Sequence, residues 1–261
     1  MLVLALDFDG VISDSAGEAF VVAARTYLEL RPESALFRAV PVRWALSTVE
    51  NLPLYRSFVE LMALGNRAED FGVALAALDE GLVVESQRDY DIFRDAQVPA
   101  FLDEFHRRFY EVRSEWSLRD PGDWLSWMKP YDPFLEILQR RSLGNRFAIA
   151  TAKDRDSVRS LLSSYGVAAL FSDSLLFDKE TGVSKRAHLK LLRERLDCSF
   201  DEIFFIDDKV NHLQDVSCLG VQCGLATWGY NGPRQVEEAR DSGHRVLRLG
   251  DVEAQVFGVQ G

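Results

Sequence analysis

Apolar and polar positions change rhythm twice along this chain. It opens on an unbroken apolar run, Leu2 to Leu6, of the kind required by a strand buried on both faces. From about Ser15 to Trp127 the rhythm is helical. Ala16 to Leu30, Leu54 to Leu64, Glu69 to Leu78 and Val98 to Trp116 each repeat apolar residues at three- and four-residue spacing. After about Arg146, short apolar runs alternate with helical stretches. Phe147 to Ala150, Leu175 to Phe177, Glu202 to Ile206 and Gln222 to Thr227 read as strands, with Arg245 to Leu249 as a further edge. Between them, Asp154 to Tyr165, stopped by Gly166, and Lys185 to Leu196 read as helices. Alternation of this kind builds a parallel sheet. The expected fold is therefore α/β, a Rossmann-like doubly wound parallel sheet core with an inserted, smaller all-helical domain. Turn formers cluster at Ser13-Asp14-Ser15 and Asp120-Pro121-Gly122, which assigns residues 1–14 and 122–261 to the core and 15–121 to the insertion.

Composition narrows the classes. A chain of 261 residues, 47% hydrophobic and 27% charged, buries one substantial core and a smaller second one. Its net charge of -11 argues against nucleic acid and anionic membranes, which need a basic face. An anionic substrate would have to be drawn in by a bound cation and a few placed Lys or Arg side chains. Cys198, Cys218 and Cys223 show neither CxxC spacing nor nearby paired histidines, so free thiols are expected rather than a zinc site or disulfides. No run approaches the roughly 20 apolar residues of a membrane span. The opening run is broken at Asp7 with no basic segment before it, so the expected location is a reducing cytoplasm, with no membrane partner.

The candidate chemistry sits at the ends of the expected strands, where open parallel sheets bind ligands. Asp7-Phe8-Asp9-Gly10-Val11 follows the first strand and sets two carboxylates two positions apart, on one side of an extended chain. Gly10 allows backbone N–H groups to approach an anion closely; a plain turn is the competing reading. Thr151 follows Ala150 in a run, with Ala152 and Lys153, that opens a helix; its hydroxyl and the next N–H can hold a phosphate oxygen or simply cap that helix. Lys185, at the end of Gly182-Val183-Ser184-Lys185, is a cation at a helix start, unfavourable unless an anion is near. A solvated lysine is the alternative. Asp207-Asp208 follows Phe204-Phe205-Ile206, and clustered carboxylates there call for a hard cation such as Mg²⁺.

Taken in order, Asp7-Phe8-Asp9-Gly10-Val11, Thr151, Lys185 and Asp207-Asp208 resemble the four motifs of the haloacid dehalogenase-like hydrolase superfamily. The resemblance covers residues 1 to 14 and about 129 to 230, including Thr227-Trp228-Gly229-Tyr230 after the last core strand. It implies a Mg²⁺-dependent phosphatase acting on a small phosphorylated metabolite, with the insertion as a helical cap. Asp7 would be the nucleophile that forms an aspartyl-phosphate, and Asp9 the acid and base. Gly10, Thr151, Ala152 and Lys185 would bind the phosphoryl group, with Lys185 also restraining Asp7. Asp7, the backbone carbonyl of Asp9, and Asp208 would hold Mg²⁺. An aspartate at position 9 argues against dehalogenation, because dehalogenase members lack it. A sugar phosphomutase is the runner-up, and a non-catalytic binding protein on the same fold comes third. His212 stands where many members carry a further acid, preceded by Asn211; a shifted metal environment and a plain surface histidine are both open, as is direct contact of Asp207 with metal. Trp44, Arg56, Arg113 and Trp116 are available to a substrate pocket, but aromatic stripes on helices are more often core.

Overall fold

The computed structural model describes residues 2–38, 44–65, 67–182 and 184–258, so Val183 of the lysine-bearing run lies outside them. The chain forms two compact units, Met1–Asp14 with Lys129–Gly261, and Ser15–Met128.

The first unit is a Rossmann-like α/β fold. Its strands are β1 (Val3–Leu6), β2 (Ser13–Asp14), β3 (Lys129–Pro130), β4 (Arg146–Ala150), β5 (Phe171–Phe177), β6 (Ile203–Asp207), β7 (Gln222–Ala226) and β8 (Arg245–Leu247). Six of them form one parallel sheet in the order β5-β4-β1-β6-β7-β8, and β2 and β3 make a separate antiparallel pair. The apolar opening run sits at the centre: Leu6 of β1 lies opposite Ile149 of β4 and Ile206 of β6. Both faces of these strands are covered. Val3, Ala5, Ala148, Ala150, Ile203 and Phe205 pack with Leu189, Leu192, Leu213 and Val216 of two helices, while the alternating residues Leu4, Leu6, Ile149, Phe204 and Ile206 are equally buried. That two-sided burial is why these strands read as unbroken apolar runs.

Three expectations need correction here. β5 begins at Phe171, because its first half, Ser172-Asp173-Ser174, is exposed at the sheet edge and carries no apolar signal. The helix after β4 begins at Arg155, capped by the Asp154 side chain accepting from the Ser157 N–H, so Thr151 neither caps nor opens it. The second crossing between the units falls at Met128/Lys129, not at 121/122. Asp120-Pro121-Gly122 starts a short helix, Pro121–Ser126: the Asp120 carboxylate accepts from the Asp123 N–H, and Pro121 supplies a preset φ at the first turn.

The second unit is helical among its described residues, built on Ala16–Leu30, Pro53–Met62, Ala68–Asp79 and Pro99–Arg119, with shorter helices at Leu46–Val49, Gln87–Asp95 and Pro121–Ser126. Its core is aromatic. The Phe20 ring lies 5.2 Å from Phe58, 5.4 Å from Tyr55 and 5.7 Å from Trp44. Trp116 is buried against Trp127, Arg113 pairs with Glu18, and Arg56 is exposed. No helix among the described residues is long and apolar enough to cross a membrane.

Candidate active site

The sheet order places the ends of three neighbouring strands, β4, β1 and β6, side by side, and the first residues beyond them carry the chemistry. Past Leu6, the Asp7 N–H still donates to the Ile206 carbonyl (2.9 Å), extending β1 by one residue along β6. Phe8 is fully buried, so Asp7 and Asp9 turn to the opposite side from it. The Phe8 carbonyl then accepts N–H groups from Ile12 (2.9 Å) and Ser13 (3.0 Å), which curls residues 8–13 into a tight turn. Gly10 makes that turn possible at φ +83°, and a Cβ there would stand 2.5 Å from Asp208 Oδ2. Its own N–H is taken by the Ser13 carbonyl at 2.8 Å. That amide is thus occupied within the turn, and the missing side chain at Gly10 makes room for Asp208.

Lys185 reaches the same point from the start of the helix Lys185–Leu196. Its Nζ lies 2.6 Å from Asp7 Oδ1, 2.6 Å from the Ala150 carbonyl and 3.3 Å from Asp207 Oδ2. A solvated lysine is excluded by its burial. Burial alone would lower this ammonium, but Asp7 and Asp207 overcome it and hold Lys185 above its ordinary value. Thr151 is buried at the end of β4, where its N–H donates to Phe177 (2.9 Å) and its hydroxyl oxygen accepts from the Lys153 N–H (3.1 Å). Ala152 is exposed in the following turn.

The Asp207-Asp208 pair splits in two directions. Asp207 is fully buried and takes Lys185 on one side, His212 Nδ1 on another (3.0 Å from Oδ2), and the Lys209 N–H (2.9 Å to Oδ1). Burial works to raise its carboxyl, but His212 and Lys185 hold it well below the usual carboxylate range. Asp208 points the other way, its Oδ2 accepting the Tyr230 N–H at 2.7 Å. Burial, with Asp207 and Asp7 adding to it, pushes Asp208 up to about 8. Burial likewise raises Asp7 above its ordinary value in spite of Lys185.

The family profile of haloacid dehalogenase-like hydrolases matches residues 1–214. The chain belongs to that family. No curated protein matches it. Among solved structures it is similar to a haloacid dehalogenase-like family hydrolase from Streptococcus pneumoniae, at 12% identity and TM-score 0.65 over 98% of each chain. It is also similar to a predicted phosphoglycolate phosphatase from Haemophilus somnus, at 17% identity and TM-score 0.61 over 97% of this chain and 96% of that one. A third, a predicted phosphatase from Clostridium acetobutylicum, shares 12% identity and TM-score 0.57 over 99% of each chain. At these identities the structural likeness establishes the fold.

One member of the site escapes the sequence reading, which leaves the role of a second open. Lys153, a buried lysine two residues past Thr151, places Nζ 3.0 Å from Asp9 Oδ1. A single lysine in a four-residue turn carries no periodic signal; only its position beside a strand end could have marked it. His212, open between a metal-side role and a surface one, is tied to Asp207. Asn211 is exposed, and its side chain accepts from the His212 N–H (3.0 Å).

The donor set suits a hard cation. Among the described residues, the carboxylates Asp7, Asp9, Asp207 and Asp208 gather at one sheet edge with the ammoniums of Lys153, Lys185 and Lys209 and the imidazole of His212. Asp7 and Asp208 are both held above their ordinary values by burial, and a divalent ion with oxygen ligands would favour their charged forms. The closest grouping of potential ligand atoms among the described residues is a different one, Asp7, Asp207 and His212, within 4.8 Å of one another. Lys185 already bridges Asp7 and Asp207 there.

Proposed function

We propose that this hydrolase is a Mg²⁺-dependent phosphomonoesterase that acts on a small phosphorylated metabolite through an aspartyl-phosphate on Asp7. The observation that carries the reading is the Lys185–Asp7 pair at 2.6 Å, buried at the end of the central strand beside Asp208. Lys185 holds one Asp7 oxygen and leaves the other to attack phosphorus. Asp9 is the proton carrier. It gives its proton to the leaving oxygen as the ester P–O bond breaks, then takes one from the water that attacks the aspartyl-phosphate and frees Asp7. Lys153, 3.0 Å from Asp9, orients that carboxyl. The Thr151 hydroxyl and the Lys185 ammonium take the phosphoryl oxygens as their charge grows. Asp7, Asp208 and the Asp9 main-chain carbonyl would hold Mg²⁺, which supplies charge neutralisation between nucleophile and phosphate.

The test is phosphate release from para-nitrophenyl phosphate and a panel of metabolite phosphates, with and without Mg²⁺, for the parent and Asp7→Asn. Phosphoglycolate belongs in the panel because a structural neighbour is described as a predicted phosphoglycolate phosphatase. Mg²⁺-dependent release that disappears in Asp7→Asn is the expected result. No release from any phosphoester, or release that survives Asp7→Asn, overturns the reading.

A further inference from the structure

The turn Thr227-Trp228-Gly229-Tyr230, which follows β7, has no part in the chemistry just described, yet it grips the site from two sides. Its tightest point is Gly229, where a Cβ would collide with both Asp208 Cβ and the Gly10 carbonyl oxygen. The Trp228 indole N–H donates to the Val11 carbonyl (3.1 Å), fixing the turn to the loop that carries Asp9. Tyr230 then makes two contacts in opposite directions. Its backbone N–H donates to Asp208 Oδ2 (2.7 Å), and its phenol O–H donates to Asp14 Oδ1 (3.1 Å). Its carbonyl accepts from Lys209 Nζ (3.3 Å), and Tyr230 is buried.

Asp14 ends β2, which pairs with β3, Asp14 lying opposite Lys129. These two residues are the last and first of the first unit at its two crossings to the helical unit. One buried tyrosine thus touches a candidate metal ligand with its main chain and a crossing strand with its side chain. We infer that Tyr230 is a positioning residue that couples occupancy of the Asp208 carboxylate to the order of the β2/β3 pair. The inference rests on the reading that Asp208 holds Mg²⁺. A cation on Asp208 fixes that carboxylate, the carboxylate fixes the Tyr230 N–H, and the rigid ring passes the constraint to Asp14. Ser13, the neighbouring residue of β2, is held independently by Tyr165 at 2.7 Å between hydroxyls, so the strand is already clamped on one side. A small additional constraint at Asp14 then has a fixed partner to work against.

The experiment combines Mg²⁺ titration calorimetry with hydrogen exchange of the peptides that contain Ser13–Asp14 and Lys129–Tyr131. In the parent, saturating Mg²⁺ should slow exchange in both peptides. Tyr230→Phe keeps the ring and the backbone N–H and removes only the hydroxyl. It should abolish that slowing and, because coupling is reciprocal, weaken Mg²⁺ binding by about fivefold. Asp14→Ala should reproduce both effects from the other end, and Asp14→Asn, which keeps an acceptor, should restore most of the response. Exchange in Tyr230→Phe that still slows with Mg²⁺ overturns the coupling, as does a parent that binds Mg²⁺ without any change at these peptides. A parent that shows no Mg²⁺ binding overturns the metal reading, and the coupling falls with it.

Discussion

Both units bury charge, and they do so in opposite ways. In the helical unit, Glu18 is fully buried and fully answered: Arg113 meets it with two parallel hydrogen bonds of 2.7 Å each, and the Trp124 indole N–H adds a third at 3.1 Å. Arg113 is itself stacked 4.7 Å from the centre of the Phe109 ring. At the sheet edge burial outweighs the partners of two carboxylates, and Asp7 and Asp208 are left above their ordinary values. A closed set of partners is what a fold needs to keep a charge inside it. An open set is what a site needs to bind something else, and burial in both units makes the difference visible.

That contrast can be broken at several points. Asp7→Asn should have the largest effect, lowering kcat by about 10⁴-fold, or roughly 5 kcal/mol, while leaving the urea midpoint of the first unit unchanged or raised. The variant removes a buried charge that the fold does not need, so a large loss of stability would mean that Asp7 is structural. Glu18→Gln should do the reverse. It strands the buried Arg113 guanidinium and should cost about 3 kcal/mol of stability, read as a lower midpoint for the helical unit in urea with circular dichroism.

His188 sharpens the comparison because it is buried with its charge removed rather than matched. Its Nε2–H donates to the carbonyls of Asp178 (3.1 Å) and Gly182 (3.0 Å), and burial, with Lys185 adding to it, pushes it down to about 4. The facing Asp178 carboxylate opposes this weakly. The folded chain therefore binds this proton less readily than the unfolded chain, whose histidine titrates near 6.5. Stability from this group is complete above about 6.5 and is lost as pH falls towards 4, reaching about 2 kcal/mol at pH 5. Urea unfolding at pH 7 and pH 5 should show that loss in the parent and a smaller one in His188→Gln. Lys153→Met should have the smallest effect of the set, a drop in kcat of about tenfold with KM unchanged, because it removes the partner that orients Asp9.

How much of this was readable in advance depends on where each group sits. The four central strands were legible because burial on both faces forces unbroken apolar runs, and Asp7, Thr151, Lys185 and Asp208 were legible because each stands at a fixed point relative to a strand end or a helix start. The outer half of β5 was hidden because its exposed residues need no apolar character. β2 and β3, at two residues each, are too short for any periodicity. Lys153 and the His212–Asp207 contact were invisible for another reason. Lys153 meets Asp9 from a separate strand end, which only the tertiary arrangement brings near, and His212 folds back on Asp207 through the turn that joins β6 to its following helix, a geometry no apolar pattern marks. The Asp120-Pro121-Gly122 turn misled because a capped helix start and a linker use the same residues.

The central place of β1 has a consequence for how the chain is made. Val3–Leu6 leaves the ribosome well before its partners on either side, Arg146–Ala150 and Ile203–Asp207. At roughly 5 to 20 residues per second, the second of those partners follows only some 10 to 40 seconds later. Throughout that interval a wholly buried strand waits without at least one of the two neighbours that cover its edges. Slowing or shortening synthesis of the segment between them should therefore change the yield of folded protein more than the stability of what has folded.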